Sequence, residues 1–261
     1  ARRYAGSQAR ESSEVSRMIM VQRESRVAPS DRAAFEEQGR EGIWPAFLHF
    51  GVPMIAYGTW GFGGPDDVVV THHVYESLEH WTATRQGTGA YYTDPAMLEE
   101  TKDLRAKYVD RDHLVQSSAA RLIELDDSLS RPRAFFRRAG QQLAELPPTF
   151  GAGSVISERT LSIAPGKKAE FRRLTAEIVW PWLEEQGGRA IGLGNDLMGS
   201  SDEVTTWFAF SSLQEWYRFA RPQSAHAPLH VAEAYTARAN LVEAQRGRLL
   251  FIGTDWGAKA S

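Results

Sequence analysis

Residues 23–58 and 159–194 are two versions of one sequence. Set over each other without a gap, "RESRVAPSDRAAFEEQGREGIWPAFLHFGVPMIAYG" and "RTLSIAPGKKAEFRRLTAEIVWPWLEEQGGRAIGLG" agree at 11 of 36 positions, among them Pro29 with Pro165, Phe35 with Phe171, Trp44-Pro45 with Trp180-Pro181, and Gly58 with Gly194. The likeness continues with small shifts of register: "VYESLEHW" lies over "AFSSLQEW", and "RDHLVQSSAARLIEL" over "RANLVEAQRGRLLFI". A chain written twice folds as two copies of one unit, and those copies bury a face against each other when neither can cover it alone.

The periodicity within each copy changes in a fixed order. "MIMVQRESRV" alternates and is rich in strand formers; a proline then opens a helix whose apolar residues Phe171, Leu174, Ile178, Trp182 and Leu183 recur at helical spacing. "VPMIAYGTW" and "DDVVVTHHVY" read as two strands joined by a glycine-rich hairpin, since a phosphate loop would connect a strand to a helix. Helix follows from Leu78, resumes after Asp94-Pro95, and gives way to the strand "SSAARLIEL". The order β-α-β-β-α-β is the ferredoxin-like split βαβ, so the expected class is α+β: two tandem ferredoxin-like units forming one intrachain barrel. The boundaries read as a polar arm (1–17), a first unit (18–126), a linker (127–153) carrying a short helix "RAFFRRAGQQLAEL", a second unit (154–255) and a tail (256–261).

Composition removes several functions. The net charge of −3 supplies no basic excess for nucleic acid, and the absence of cysteine removes disulfides, thiolate metal sites and a cysteine nucleophile. No apolar run approaches the ~18 residues of a spanning helix, and the polar start lacks the apolar segment of a secretory signal. The cytoplasm is the expected compartment. No Walker, G-x-S-x-G or H-E-x-x-H motif is present, and Pro228 separates His226 from His230 in "HAPLH", so no metal site is expected.

In "ERTLSIAPGKKAEFRRL", "WPWLEEQGGRAIGLGND", "SDEVTTWFAFSSLQEW" and "GRLLF" the second copy resembles the NIPSNAP family. The first copy resembles it more weakly, with Pro29-Ser30 for Pro-Gly and His72-His73 where aromatic residues stand. The resemblance implies the dimeric α+β barrel superfamily, whose members include cofactor-free quinone-forming monooxygenases, polyketide cyclases, isomerases and haem enzymes. No catalytic motif spans those members, so the resemblance assigns no residue a role.

Duplication supplies an internal control, because scaffold residues match while a site need exist in one copy only. His72 and His73 replace Trp207 and Phe208; Tyr57 replaces Leu193; Gln38 and Gly42 stand where Leu174 and Ile178 fill a helix face. Neighbours on a strand point to opposite faces, so one histidine faces the barrel interior, expected to be His72, and the other packs under the helices. The reading is an enzyme for a small apolar or aromatic molecule, held inside an asymmetric barrel and worked on by proton transfer from a histidine. His72, Tyr57 and His73 are the catalytic candidates, and Gln38, Gly42, Glu24, Arg26 and Trp207 the substrate-binding ones. Oxygenation, cyclisation and isomerisation all remain open. No cofactor is expected; the alternative is haem on His72, His73 or His230, and the second alternative a non-catalytic binding or assembly protein, with homo-oligomer formation left open. Arg23 and Arg159, matched between copies, are expected to be ion-paired scaffold residues.

Overall fold

A computed structural model describes residues 17–85, 87–130, 151–220 and 226–253. Nearly all of the polar arm, the linker helix and the tail lie outside the described residues. The strands of the first repeat are β1 (Ile19–Val27), β2 (Met54–Phe62), β3 (Val68–Tyr75) and β4 (Val115–Leu125); those of the second are β5 (Val155–Ile163), β6 (Arg189–Asp196), β7 (Glu203–Phe210) and β8 (Val242–Ile252). They close into a single barrel in the order β1-β3-β2-β8-β5-β7-β6-β4. Each repeat contributes four strands in ferredoxin-like order, and the last strand of each completes the other: β8 pairs with β2, and β4 with β6.

The two seams explain a glycine shared by the repeats. Gly58 faces Ile252 across one seam and Gly194 faces Leu125 across the other. A Cβ at Gly58 would lie 2.1 Å from the Phe251 carbonyl oxygen, and at Gly194 2.6 Å from that of Glu124. Only a residue without a side chain lets the strands approach this closely.

The first helix of each repeat contains a π-helical turn, Gly39–Ile43 and Thr175–Val179, placed immediately before Trp-Pro. Proline lacks the N–H and crowds the preceding turn, and the wider π turn accommodates its ring within a continuing helix.

Side chains alternate across the barrel wall. Met20, Ile55, Val70 and Ile123 from the first repeat meet Ile156, Trp207 and Leu250 from the second in one interior cluster. Outside the wall lies a second layer, under the helices. In the second repeat it is packed by Phe171, Leu174, Trp180, Trp182, Phe208 and Phe219. Burying each such side chain stabilises the fold by roughly 1.5–3 kcal/mol.

Candidate functional site

The barrel interior combines the apolar cluster with a buried polar network. Glu158, 2 % exposed, accepts from Arg248 Nη2 at 2.7 Å, Arg121 Nη1 at 3.2 Å and Trp207 Nε1 at 3.0 Å, and from the Gln22 amide. Gln22 turns its Oε1 to Arg121 (3.0 Å) and Arg248 (3.1 Å) and donates its amide to His72 Nε2 (2.8 Å). Arg121 reaches Asp196 at 2.9 Å, Arg248 reaches Glu24 at 2.7 Å, and the Arg248 guanidinium stacks 3.9 Å above the Trp60 ring. Burial pushes the Glu158 carboxyl up, but Arg248 and Arg121, with the hydrogen bonds from Arg248 and Gln22, hold it below the usual carboxylate range. Burial pulls His72 down to about 4, against the attraction of Glu158, so it is neutral; accepting at Nε2, it carries its proton on Nδ1.

The expectation placed the substrate inside the barrel, beside His72. An eight-stranded barrel is just wide enough for its own side chains, and here a buried apolar cluster and an ion network share its interior. His72 faces the interior, where its Nδ1 has no hydrogen-bond partner among the described residues, and Trp207 and Glu24 belong to the network. Arg26 pairs with Asp67 at the surface.

One open space lies on the other side of the wall. A cavity of about 460 Å³, within the range of small-molecule sites, separates the first repeat's sheet from its helices. The outward residues of β1 and β3, Val21, Arg23 and Ser25 with Val69, Thr71, His73 and Tyr75, form its floor; Phe35, Trp44, Phe47 and Tyr108 form its roof, and Tyr57 and Arg111 its sides. Exposed Arg85, Val109, Asp112 and Ser118 rim its mouth.

Of the sequence candidates, the cavity brings together Tyr57 and His73. Gln38 and Gly42 do not line it: a Cβ at Gly42 would sit 2.8 Å from both the Leu104 carbonyl and the Tyr108 ring, so Gly42 serves close approach of the helix Lys102–Ala106. The space arises elsewhere, at three positions the sequence reading passed over. Ala46 stands for Trp182, Thr84 for Phe219 and Gly39 for Thr175, each visible in the same repeat alignment. Arg23 also departs from its expected role, since it forms no ion pair among the described residues and lines the cavity instead.

His73, 7 % exposed, packs edge-on to Phe47 with ring centroids 4.8 Å apart, and its buried Nε2 has no hydrogen-bond partner among the described residues. Burial, with Arg23, Arg111 and His72 nearby, pulls it down to about 3, so the ring is a neutral base. Burial pushes the Tyr57 phenol up, which keeps it protonated and able to donate.

Haem fits these residues poorly. His72 has its Nε2 engaged by Gln22, His230 is exposed on the helix Leu229–Ala239, and His73 has no hydrogen bond to an acceptor among the described residues that would fix its ring as an axial ligand requires. Among the described residues no three metal-binding side chains cluster, and no helix is long and apolar enough to cross a membrane.

No protein-family model matches the sequence, and no curated protein matches it. Solved structures similar to the chain include two proteins each described as a "putative monooxygenase". The one from Lactobacillus acidophilus is 7 % identical, with a TM-score of 0.57 over 92 % of this chain and 97 % of its own. The other, from Fusobacterium nucleatum, is 9 % identical, with a TM-score of 0.56 over 91 % and 93 %. The fold is shared; the sequence is not. A NIPSNAP family protein from Agrobacterium tumefaciens is similar over 38 % of this chain and 86 % of its own, at 19 % identity and a TM-score of 0.34.

Proposed function

We propose that the protein is an enzyme of small-molecule metabolism whose substrate, a largely aromatic molecule, occupies the cavity of the first repeat and loses a proton to His73. The observation that carries this reading is a neutral, buried imidazole with an unpartnered Nε2 on the floor of an aromatic-walled cavity, where the second repeat has only Phe208. Tyr57 donates a hydrogen bond to the oxygen on which charge collects, and no cofactor takes part. His72 is given no contact with substrate. Oxygenation is the first of the three chemistries to try, because the two similar structures from Lactobacillus acidophilus and Fusobacterium nucleatum are each described as a "putative monooxygenase".

Proton abstraction is common to oxygenation, cyclisation and isomerisation, so the test reads that step alone. Exchange of the acidic C–H protons of 2-tetralone in D2O, followed by NMR, is expected to be accelerated by the protein and slowed about a hundredfold or more by His73→Gln. Exchange equal in wild type and variant would leave a binding protein in place of an enzyme.

A further inference from the structure

The two repeats carry the same pair of arginines and treat them differently. In the second repeat Arg159 donates to the Tyr235 hydroxyl at 3.1 Å and the Ala220 carbonyl at 3.5 Å, and Arg238 lies over the Phe171 ring and donates to Thr175 Oγ1 at 3.4 Å. Their counterparts are Arg23 and Arg111. Arg111 keeps the stacking, with its guanidinium 3.7 Å above the Phe35 ring, but Gly39 stands where Thr175 supplies the hydroxyl, and its buried Nε has no partner among the described residues. Among the described residues Arg23 reaches only Ser118 Oγ, at 3.3 Å, while the hydroxyl of Tyr108, the counterpart of Tyr235, lies 3.5 Å from that of Tyr92. Neither forms an ion pair among the described residues.

Resting on the reading of this cavity as a substrate site, we propose that the substrate is an aromatic carboxylate, whose carboxylate is received by Arg23 and Arg111 while its ring lies between the aromatic walls and presents its acidic proton to His73. Two largely buried guanidinium groups without carboxylate partners are costly, and a planar anion matches their forked donors. Arg85 and Arg105 also line the cavity, against a single carboxylate, that of Asp112 at the mouth. Burial has already drawn Arg111 down to about 10, the state a buried anion would reverse. The same two arginines depress His73, so an anion placed between them strengthens the base when substrate is bound. The phenyl ring under Arg111 holds its plane fixed and so sets the orientation of the carboxylate it takes.

The test is calorimetric titration of the full chain at fixed ionic strength with three naphthalene probes. 1-Naphthoate is expected to bind at least tenfold more tightly than the neutral 1-naphthamide. Arg23→Met and Arg111→Met, which keep the aliphatic bulk, should each weaken naphthoate at least tenfold and leave the amide within threefold; Arg159→Met in the second repeat should change neither. Should Arg111→Met fail to fold, Arg23→Met together with the naphthoate-to-amide ratio decides the matter alone. Equal binding of acid and amide, or naphthoate affinity indifferent to Arg23→Met, would overturn the proposal; 1-naphthyl phosphate binding more tightly than naphthoate would overturn the carboxylate in favour of a phosphate. The proton-exchange test separates this inference from the enzymatic reading: exchange equal in wild type and His73→Gln would remove the base, while the Arg23-dependent preference for naphthoate over the amide would still stand.

Discussion

Two layers of this molecule are built on the same scaffold and differ in what they hold. Beneath the second repeat's helices, Trp182, Phe208 and Phe219 pack a continuous core; beneath the first repeat's, Ala46, His73 and Thr84 stand at those places around 460 Å³ of space. The strands, seam glycines and π turns are the same in both. A few truncations are therefore enough to convert a core into a cavity, because the frame is secured by the barrel interior and not by the layer that was hollowed out.

The largest expected effect comes from hollowing the filled layer. Trp182→Ala should cost about 3–5 kcal/mol in denaturant unfolding, the usual loss for a buried tryptophan. A cost below about 1 kcal/mol would mean that the second layer is no core and that the contrast between repeats is superficial.

Filling the hollow layer should act in the opposite direction. His73→Phe restores the second repeat's residue, and its effect should depend on pH. Both histidines are held neutral in the fold, His73 at about 3 beside Arg23, Arg111 and His72, and His72 at about 4 beside Glu158, Arg248 and Arg121. Below their unfolded value, near 6.5, the unfolded chain binds more protons than the native one, so stability falls as pH falls, by about 1.4 kcal/mol per pH unit for each histidine. The variant should lose stability less steeply between pH 6 and 4 than the wild type, by about that slope. Identical acid limbs in chemical denaturation would show that His73 is not buried neutral.

The smallest effect belongs outside both layers. Arg26→Ala removes an exposed pair with Asp67 and should change stability by less than about 1 kcal/mol. A loss rivalling that of Trp182→Ala would place the frame's strength at the surface rather than in the barrel.

The fold was legible because the repeat is written in the sequence, and the parity of β3 correctly sends His72 inward. What was not legible is the interior network, which joins residues 22, 72, 121, 158 and 248 through strand registers that no local pattern encodes. The cavity was within reach. Ala46 over Trp182 and Thr84 over Phe219 lie in the same alignment that singled out Gln38 and Gly42, but loss of bulk on a helix can admit a neighbouring helix as readily as a ligand. Gly42 admits Tyr108, whereas Ala46 admits nothing.

The contact between Gln22 and Glu158 has a consequence for which halves can pair. The two residues are counterparts in the repeats, as are Arg121 and Arg248, so the network lies across the relation that exchanges one unit for the other. Two copies of the second unit would set a carboxylate beside a carboxylate at that point, and two copies of the first an amide beside an amide. Only unlike halves set a carboxylate opposite an amide at that point, with an arginine from each half on the carboxylate. The barrel's centre thus holds an unlike pair, amide with carboxylate, at a point where two identical units could place only like residues.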